Sequence, residues 1–125
     1  MSISKKDSSQ KNSEIRRILN AFKYSYDGFV ATFKSEAAFK EDVLIFVLLL
    51  PIAFFVDVTA AQRVLLFFAL MFILFAECVN TAIEVAIDRI STDIHPLSKK
   101  AKDIGSFLVF LSFVNAIVTW GIILL

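Results

Sequence analysis

Residues 64–90 read VLLFFALMFILFAECVNTAIEVAIDRI. Val64 to Ala76 is apolar throughout, and neither Pro nor Gly interrupts the stretch before Ile90. A run of this length and character predicts a helix bound for a membrane. Yet the same helix carries Glu77, Asn80, Glu84 and Asp88. At about 100° per residue, with Glu77 at zero, Asn80 falls near −60°, Glu84 near −20° and Asp88 near +20°. All four therefore share one narrow face. A charged side chain at bilayer depth costs at least ~2.5–3.5 kcal/mol, so an ionisable residue kept there marks an ion, proton or substrate site. Glu77, directly after the apolar run, is the deepest. Glu84 is nearer water, and Asp88 and Arg89 reach the headgroups, where charge at a helix end is ordinarily solvated. Carboxylates seven residues apart stand about 10 Å apart along the axis. They cannot both hold one ion closely, and they divide naturally into a base and a metal ligand.

The composition supports a membrane setting. The chain has 125 residues, enough for one small domain, and 58% of them are hydrophobic, against roughly 45–50% in soluble domains. Mean hydropathy is +0.73. Fourteen residues are Phe, and the net charge is only +1, which leaves no global basic field for nucleic acid. Cys78 is the single cysteine. It can form no intramolecular disulfide or cysteine-based zinc site, and it reads as a small packing residue. The first ten residues are polar, unlike a secretory signal peptide.

Residues 1–12 are polar and are expected to form a mobile, disordered tail, with Ser13 capping the first helix of a single domain over 13–125. Within 13–34, Ile15, Ile18, Leu19, Phe22, Tyr26, Phe29, Val30 and Phe33 recur at helical spacing. Glu14, Arg16, Arg17, Lys23 and Asp27 lie opposite, as in an amphipathic helix lying in the membrane interface. Gly28 offers a point of bending. Residues 36–57 form the expected first span, with SEAAFKED at headgroup level and Pro51 inside the apolar part. Residues 60–90 are the second span with its cytoplasmic extension, capped by Asp57 or Thr59. Residues 91–101 form a cytoplasmic loop with Pro96 as a breaker. Residues 102–125 are the third span, in which Ser106, Ser112, Asn115 and Thr119 can bond neighbouring helices or backbone. Trp120 lies where an aromatic interfacial anchor is expected.

The fold class is therefore an all-α membrane protein of three spans and one interfacial helix. Lys and Arg gather before the first span and between the second and third, with Arg63 alone in the first turn and none at the C-terminus. The positive-inside rule then places the N-terminus in the cytoplasm and the C-terminus outside. Three spans enclose little, so intramembrane carboxylates call for a homo-oligomer.

Charged residues gather at the same membrane boundary. Glu36 opens the first span, and KKAKD, Lys99 to Asp103, opens the third. Hard oxygen ligands beside a lysine suit magnesium bound to a polyphosphate. No G-x-x-x-x-G-K-S/T loop and no kinase Gly-rich loop occurs, so a phosphate site here is of another design. His95, beside Pro96, is either solvated or lines a nucleotide site.

Three motifs taken together resemble the prokaryotic diacylglycerol kinase family of small integral-membrane lipid kinases. AECVNTAIEVAIDRI is similar to the family signature E-x-x-N-S/T-A-I-E-x-x-x-D. EAAF at Glu36–Phe39 and AKDIGS at Ala101–Ser106 match at the family's spacing. The resemblance covers Arg16 to the C-terminus. It implies a homotrimeric bundle in a bacterial inner membrane, with active sites shared between subunits and the N-terminal helix covering the site. It further implies ATP- and Mg²⁺-dependent phosphorylation of a lipid hydroxyl. By position, Glu77 resembles the general base and Asn80 the residue that orients the reacting groups. Glu36 and Glu84 resemble the metal ligands. Lys102 and Asp103 resemble nucleotide contacts, joined by Arg17, Tyr24 and His95, with Asp88 and Ser106 in support. Ala37, Ala38 and Phe39 resemble lipid contacts alongside Glu77 and Ser106.

The residues agree in kind, because phosphoryl transfer rests on positioning and charge neutralisation more than on covalent chemistry. Tyr26 stands where one branch carries Trp, and Lys40–Glu41 replaces an Arg–Gln pair. HPLSKKAKD resembles the Gram-positive branch, which prefers undecaprenol. EAAF and VDVTAAQRVLL resemble the Gram-negative branch, which prefers diacylglycerol. The expected substrate is diacylglycerol, with undecaprenol as the alternative. A small proton-coupled transporter or channel subunit, with Glu77 as its proton site, is the alternative from another class.

Overall fold

A computed structural model describes residues 2–125, with side chains from Lys5 onward. Four helices account for nearly all of it: α1 Ser2–Ser35, α2 Ala37–Phe55, α3 Ala60–Ile90 and α4 Pro96–Leu124. The chain divides into two units, Met1–Ser35 and Glu36–Leu125.

The first unit is α1 alone. Its helix takes in residues 2–12, where a mobile tail is expected from composition, and Ser13 lies inside it rather than at its cap. No Pro or Gly interrupts that segment, and extending an established helix adds one hydrogen bond per residue fixed. Gly28 does not break the helix; its carbonyl accepts from the Thr32 hydroxyl at 2.8 Å. Within the unit, Phe22 of the apolar stripe is 72% exposed, with Ile18, Leu19 and Tyr26 also open.

In the second unit, α3 is central, packing on α4 and on α2. Each helix end has a local cause. Thr59 and Gln62 form a reciprocal capping box, with the Gln62 N–H donating to Thr59 Oγ1 at 3.2 Å and the Thr59 N–H donating to Gln62 Oε1 at 3.0 Å. Arg63 reaches back across the α2–α3 turn and donates to the carbonyls of Ala53 and Phe54 at 2.7 and 2.6 Å, and to Val56 at 3.0 Å. These are the carbonyls that the end of a helix leaves without partners. Pro51 lies inside α2, which continues to Phe55.

The loop expected over 91–101 is shorter in the structure. Pro96 opens α4 instead of breaking it, because its missing N–H is harmless at the first helical position. His95 caps this helix, its Nδ1 accepting from the Leu97 N–H at 3.1 Å.

Ala69, Ile73 and Ala116 form the core between α3 and α4, with Phe113 and Trp120 packed against it. Small residues at such a seam let two helices approach closely. Trp120 is more than an interfacial anchor: its indole N–H donates to the Leu66 carbonyl at 3.1 Å and ties α4 to α3. Cys78, expected as a packing residue, is exposed. Phe68, Phe72 and Phe75 stack along α3 with centroid spacings of 6.0 and 6.2 Å. The helices α3 and α4 are long and apolar enough to cross a membrane. The 19 residues of α2 include Lys40, Glu41 and Asp42 in its first turns.

Candidate active site

Glu77 lies in α3 and is only 8% exposed, where the apolar run of that helix meets α2. Its neighbour across the helix pair is Asp42 of α2, 6% exposed. The two carboxyl groups face each other closely enough to interact. Asp42 Oδ2 is buried without any partner. Glu36 and Glu84 lie close enough to act electrostatically on Glu77. Four carboxylates thus converge on the α2–α3 contact. Glu36 is the N-cap residue of α2, yet its side chain makes no capping bond and remains available as a ligand.

Asn80, one turn along α3, donates from Nδ2 to Glu84 Oε1 at 3.4 Å. Its Oδ1 is buried and makes no hydrogen bond. The carboxylate fixes which end of the amide faces it, because an ionised carboxylate can only accept. The expected stack of Glu77, Asn80 and Glu84 on one face is therefore realised, with α2 on one side and α4 on the other.

A second cluster lies at the α3–α4 tip. Asp88, Ser91, His95, Lys99, Lys102 and Asp103 line an open cleft of ≈ 290 Å³. The Lys102 ammonium meets Asp88 Oδ1 at 2.8 Å, and Lys99 meets Asp103 Oδ2 at 2.6 Å. Both pairs are substantially exposed, so each adds little stability. They hold lysine ammonium groups at the cleft, where an incoming phosphate can compete for them. Asp88 lies eleven residues from Glu77, about 16 Å along the axis. An extended nucleoside triphosphate has the length to reach from this cleft toward the carboxylates.

The remaining positions are dispersed. Arg17 and Tyr24 share one groove-lining face of α1 with Ser13 and Asn20, in the first unit. Ser106 is exposed on α4, beside buried Gly105. Of the three lipid-contact positions, Ala37 and Ala38 are exposed, whereas Phe39 is buried at 2%. Asp42 is the site residue that sequence reading missed. It stood inside SEAAFKED, a charged turn assigned to the headgroups. The available signal was its spacing, because Phe39 and Asp42 are three residues apart and share a helix face.

The donor set suits magnesium in one mode. Among the described residues, no group of three His, Cys, Asp or Glu side chains is placed to hold a metal by itself. Magnesium ordinarily takes one or two carboxylates and completes its shell with water and substrate phosphates. Glu36 and Glu84 fit that partial shell, with water and substrate phosphates supplying the remaining ligands.

Comparison with known proteins gives a consistent result. Residues 23–124 match the family model described as prokaryotic diacylglycerol kinase. The chain is 47% identical over 111 residues to a diacylglycerol kinase of Pseudomonas aeruginosa, covering 89% of this chain and 90% of that protein. It is 41% identical over 108 residues to a diacylglycerol kinase of Escherichia coli, covering 86% and 88%. A diacylglycerol kinase of Haemophilus influenzae is 34% identical over 114 residues, covering 91% and 97%.

Proposed function

The chain belongs to the prokaryotic diacylglycerol kinase family and is a membrane enzyme that phosphorylates diacylglycerol, and from that premise we propose that its donor is ATP with Mg²⁺ and its base is Glu77. The observation that carries this reading is the convergence of Glu36, Asp42 and Glu84 on a Glu77 only 8% exposed. A transporter or channel has no use for the lysine-lined cleft at the α3–α4 tip.

Length fits the membrane placement. α2 has 19 residues, about 28 Å, and α3 has 31, about 46 Å. A hydrocarbon core is about 30 Å thick. α2 therefore nearly matches it, as the third membrane helix beside α3 and α4, with its charged first turns at the headgroups, and α3 projects beyond it. With the capping box and Arg63 at the outer boundary, Glu77 falls in the inner part of the core. Glu84 then lies near the cytoplasmic boundary and Asp88 beyond it. N-terminus and α3–α4 loop are cytoplasmic, and the C-terminus is outside, in a bacterial inner membrane.

In the reaction, the lipid hydroxyl oxygen forms a bond to the γ-phosphorus of ATP as the bond to the β,γ-bridging oxygen breaks. ADP leaves, and the hydroxyl proton passes to the Glu77 carboxylate. Asp42 lies against that carboxylate and fixes its position. Asn80 fixes the Glu84 carboxylate, and Glu84 and Glu36 would hold Mg²⁺. Bound there, the ion would neutralise charge on the phosphate oxygens. Lys102 and Asp103 contact the nucleotide, with Asp88 holding Lys102. Arg17, Tyr24 and His95 are further nucleotide contacts. Ser106, Ala37 and Ala38 face the lipid, and Phe39, buried behind them, supports that surface. The protein acts as a homotrimer, and the exposed stripe of α1 lies on the membrane surface.

The test uses the purified protein in mixed micelles with labelled ATP and either diacylglycerol or undecaprenol. Phosphate should pass to diacylglycerol faster than to undecaprenol, and chelation of Mg²⁺ should stop it. Transfer that survives chelation would refute the magnesium assignment. A faster reaction with undecaprenol would reverse the substrate order.

A further inference from the structure

We propose that Gly105 of α4 is a positioning residue for the reaction, acting through the side-chain amide of Asn80. Gly105 is buried in α4 against α3. A Cβ built at this glycine would overlap Asn80 Oδ1, lie 3.2 Å from Asn80 Cγ and stand 3.6 Å from Asn80 Cα. All three of its nearest atoms thus belong to Asn80. The Cα distance is ordinary van der Waals contact, so the backbones of α3 and α4 already have room for a methyl group. Only the amide does not.

The two ends of that amide have different surroundings. Nδ2 donates to Glu84 Oε1 at 3.4 Å, while Oδ1 is buried and makes no hydrogen bond. The unbonded end rests against the bare backbone of Gly105. A buried acceptor without a partner is unfavourable, so the amide has reason to rotate elsewhere. The wall at Gly105 and the bond to Glu84 hold it where it is. The other glycines do not share this feature: added Cβ atoms at Gly28 and Gly121 would meet nothing within 4 Å.

A methyl group at position 105 forces Oδ1 to retreat by about 1 Å to regain van der Waals separation. The amide is rigid and planar, so Nδ2 moves with it and the hold on Glu84 is lost. A misplacement of about 1 Å can lower a rate by roughly 100-fold. The inference rests on the reading of Asn80 and Glu84 as site residues, and it adds a residue that touches neither substrate nor metal.

The test compares Gly105→Ala, Asn80→Ala and the double variant as full chains in mixed micelles. Rates are followed against Mg²⁺ concentration, and heat-unfolding midpoints are recorded. Gly105→Ala should lose roughly 100-fold in kcat and need more Mg²⁺ for half-maximal rate. In the Asn80→Ala background the same glycine change should add no further loss in kcat and no shift in midpoint. If Gly105→Ala fails to fold, the double variant should fold, because its clash is gone. Additive losses, or a double variant that stays unfolded while Asn80→Ala folds, would overturn the proposal. So would a wild-type rate and magnesium profile in Gly105→Ala. Glu84→Gln is run in parallel. A wild-type magnesium profile there sinks the metal role of Glu84, while the coupling between positions 80 and 105 is still decided by the double variant.

Discussion

Glu77 and Glu84 are the same residue type on the same helix face, and burial assigns them different chemistry. Glu77 is nearly closed off and paired with Asp42, whereas Glu84 is half-buried and held by Asn80. Glu77→Gln should abolish turnover and leave ATP–Mg²⁺ binding intact, because an amide cannot accept the hydroxyl proton but keeps the shape of the side chain. Glu84→Gln should weaken nucleotide binding as well as turnover. Equilibrium binding of a fluorescent ATP analogue separates the two; unchanged affinity in Glu84→Gln would remove its metal role. Asp42 faces Glu77, and its Oδ2 makes no hydrogen bond. Asp42→Ala removes the carboxyl group that faces Glu77 and offers no donor in its place. A positioned acid–base group contributes roughly 10²–10⁴-fold, and a group that acts through such a residue should contribute less. A fall of about tenfold to a hundredfold in kcat is therefore expected, with the KM for ATP little changed. A wild-type kcat would mean that Glu77 works without its neighbour.

At the scale of elements, α2 and α3 are joined by a turn that one side chain closes. Arg63 bonds carbonyls of Ala53, Phe54 and Val56, with a longer approach to Val58 at 3.5 Å. Hydrogen bonds to a charged group are worth about 1.5–3 kcal/mol each at most, and those at one terminus are not additive. Arg63→Ala should lower the stability of the folded protein by about 2–3 kcal/mol, read as a fall in the heat-inactivation midpoint in micelles. Arg63→Lys should recover less than half of this, because an ammonium cannot fan out over several carbonyls as a guanidinium does. Full recovery would mean that charge alone is what the turn requires.

The helix α3 was legible in the sequence, since a long apolar run preceded by Asp57 or Thr59 as cap sets the bounds Ala60–Ile90, whereas the starts of α1 and α4 lie earlier than composition indicated. Pro96 was misread because proline ends a helix from within but opens one from its first position. Asp42 and Gly105 were not legible for a shared reason. Their roles depend on what faces them from another helix, and periodicity along one helix says nothing about its neighbour. The residues at the α3–α4 tip fall between these cases. Lys102 and Asp103 were singled out by charge, but their pairing with Asp88 and Lys99 needed the turn between the helices.

For the whole molecule, the open question of partnership has a direct consequence for the site. Among the described residues of one chain, no group of three His, Cys, Asp or Glu side chains is placed to hold a metal, and the apolar faces of Phe68, Phe75, Phe110 and Ile117 are exposed. In the proposed trimer, three copies of the carboxylate cluster and of the lysine-lined cleft surround one axis. If a site is shared between subunits, Glu77 comes from one chain and Lys102 from its neighbour. Glu77→Gln and Lys102→Ala should each be inactive as pure proteins. Unfolded together in equal amounts and reassembled, they mix at random. A site is intact when the chain supplying Glu77 and the neighbour supplying Lys102 are both unmutated at those positions, a chance of about one in four for independently drawn chains. Roughly a quarter of wild-type activity should return. If both residues of a site come from the same chain, every chain in the mixture carries one defect and no activity returns. The mixing experiment therefore reads the division of the site between subunits directly from a rate.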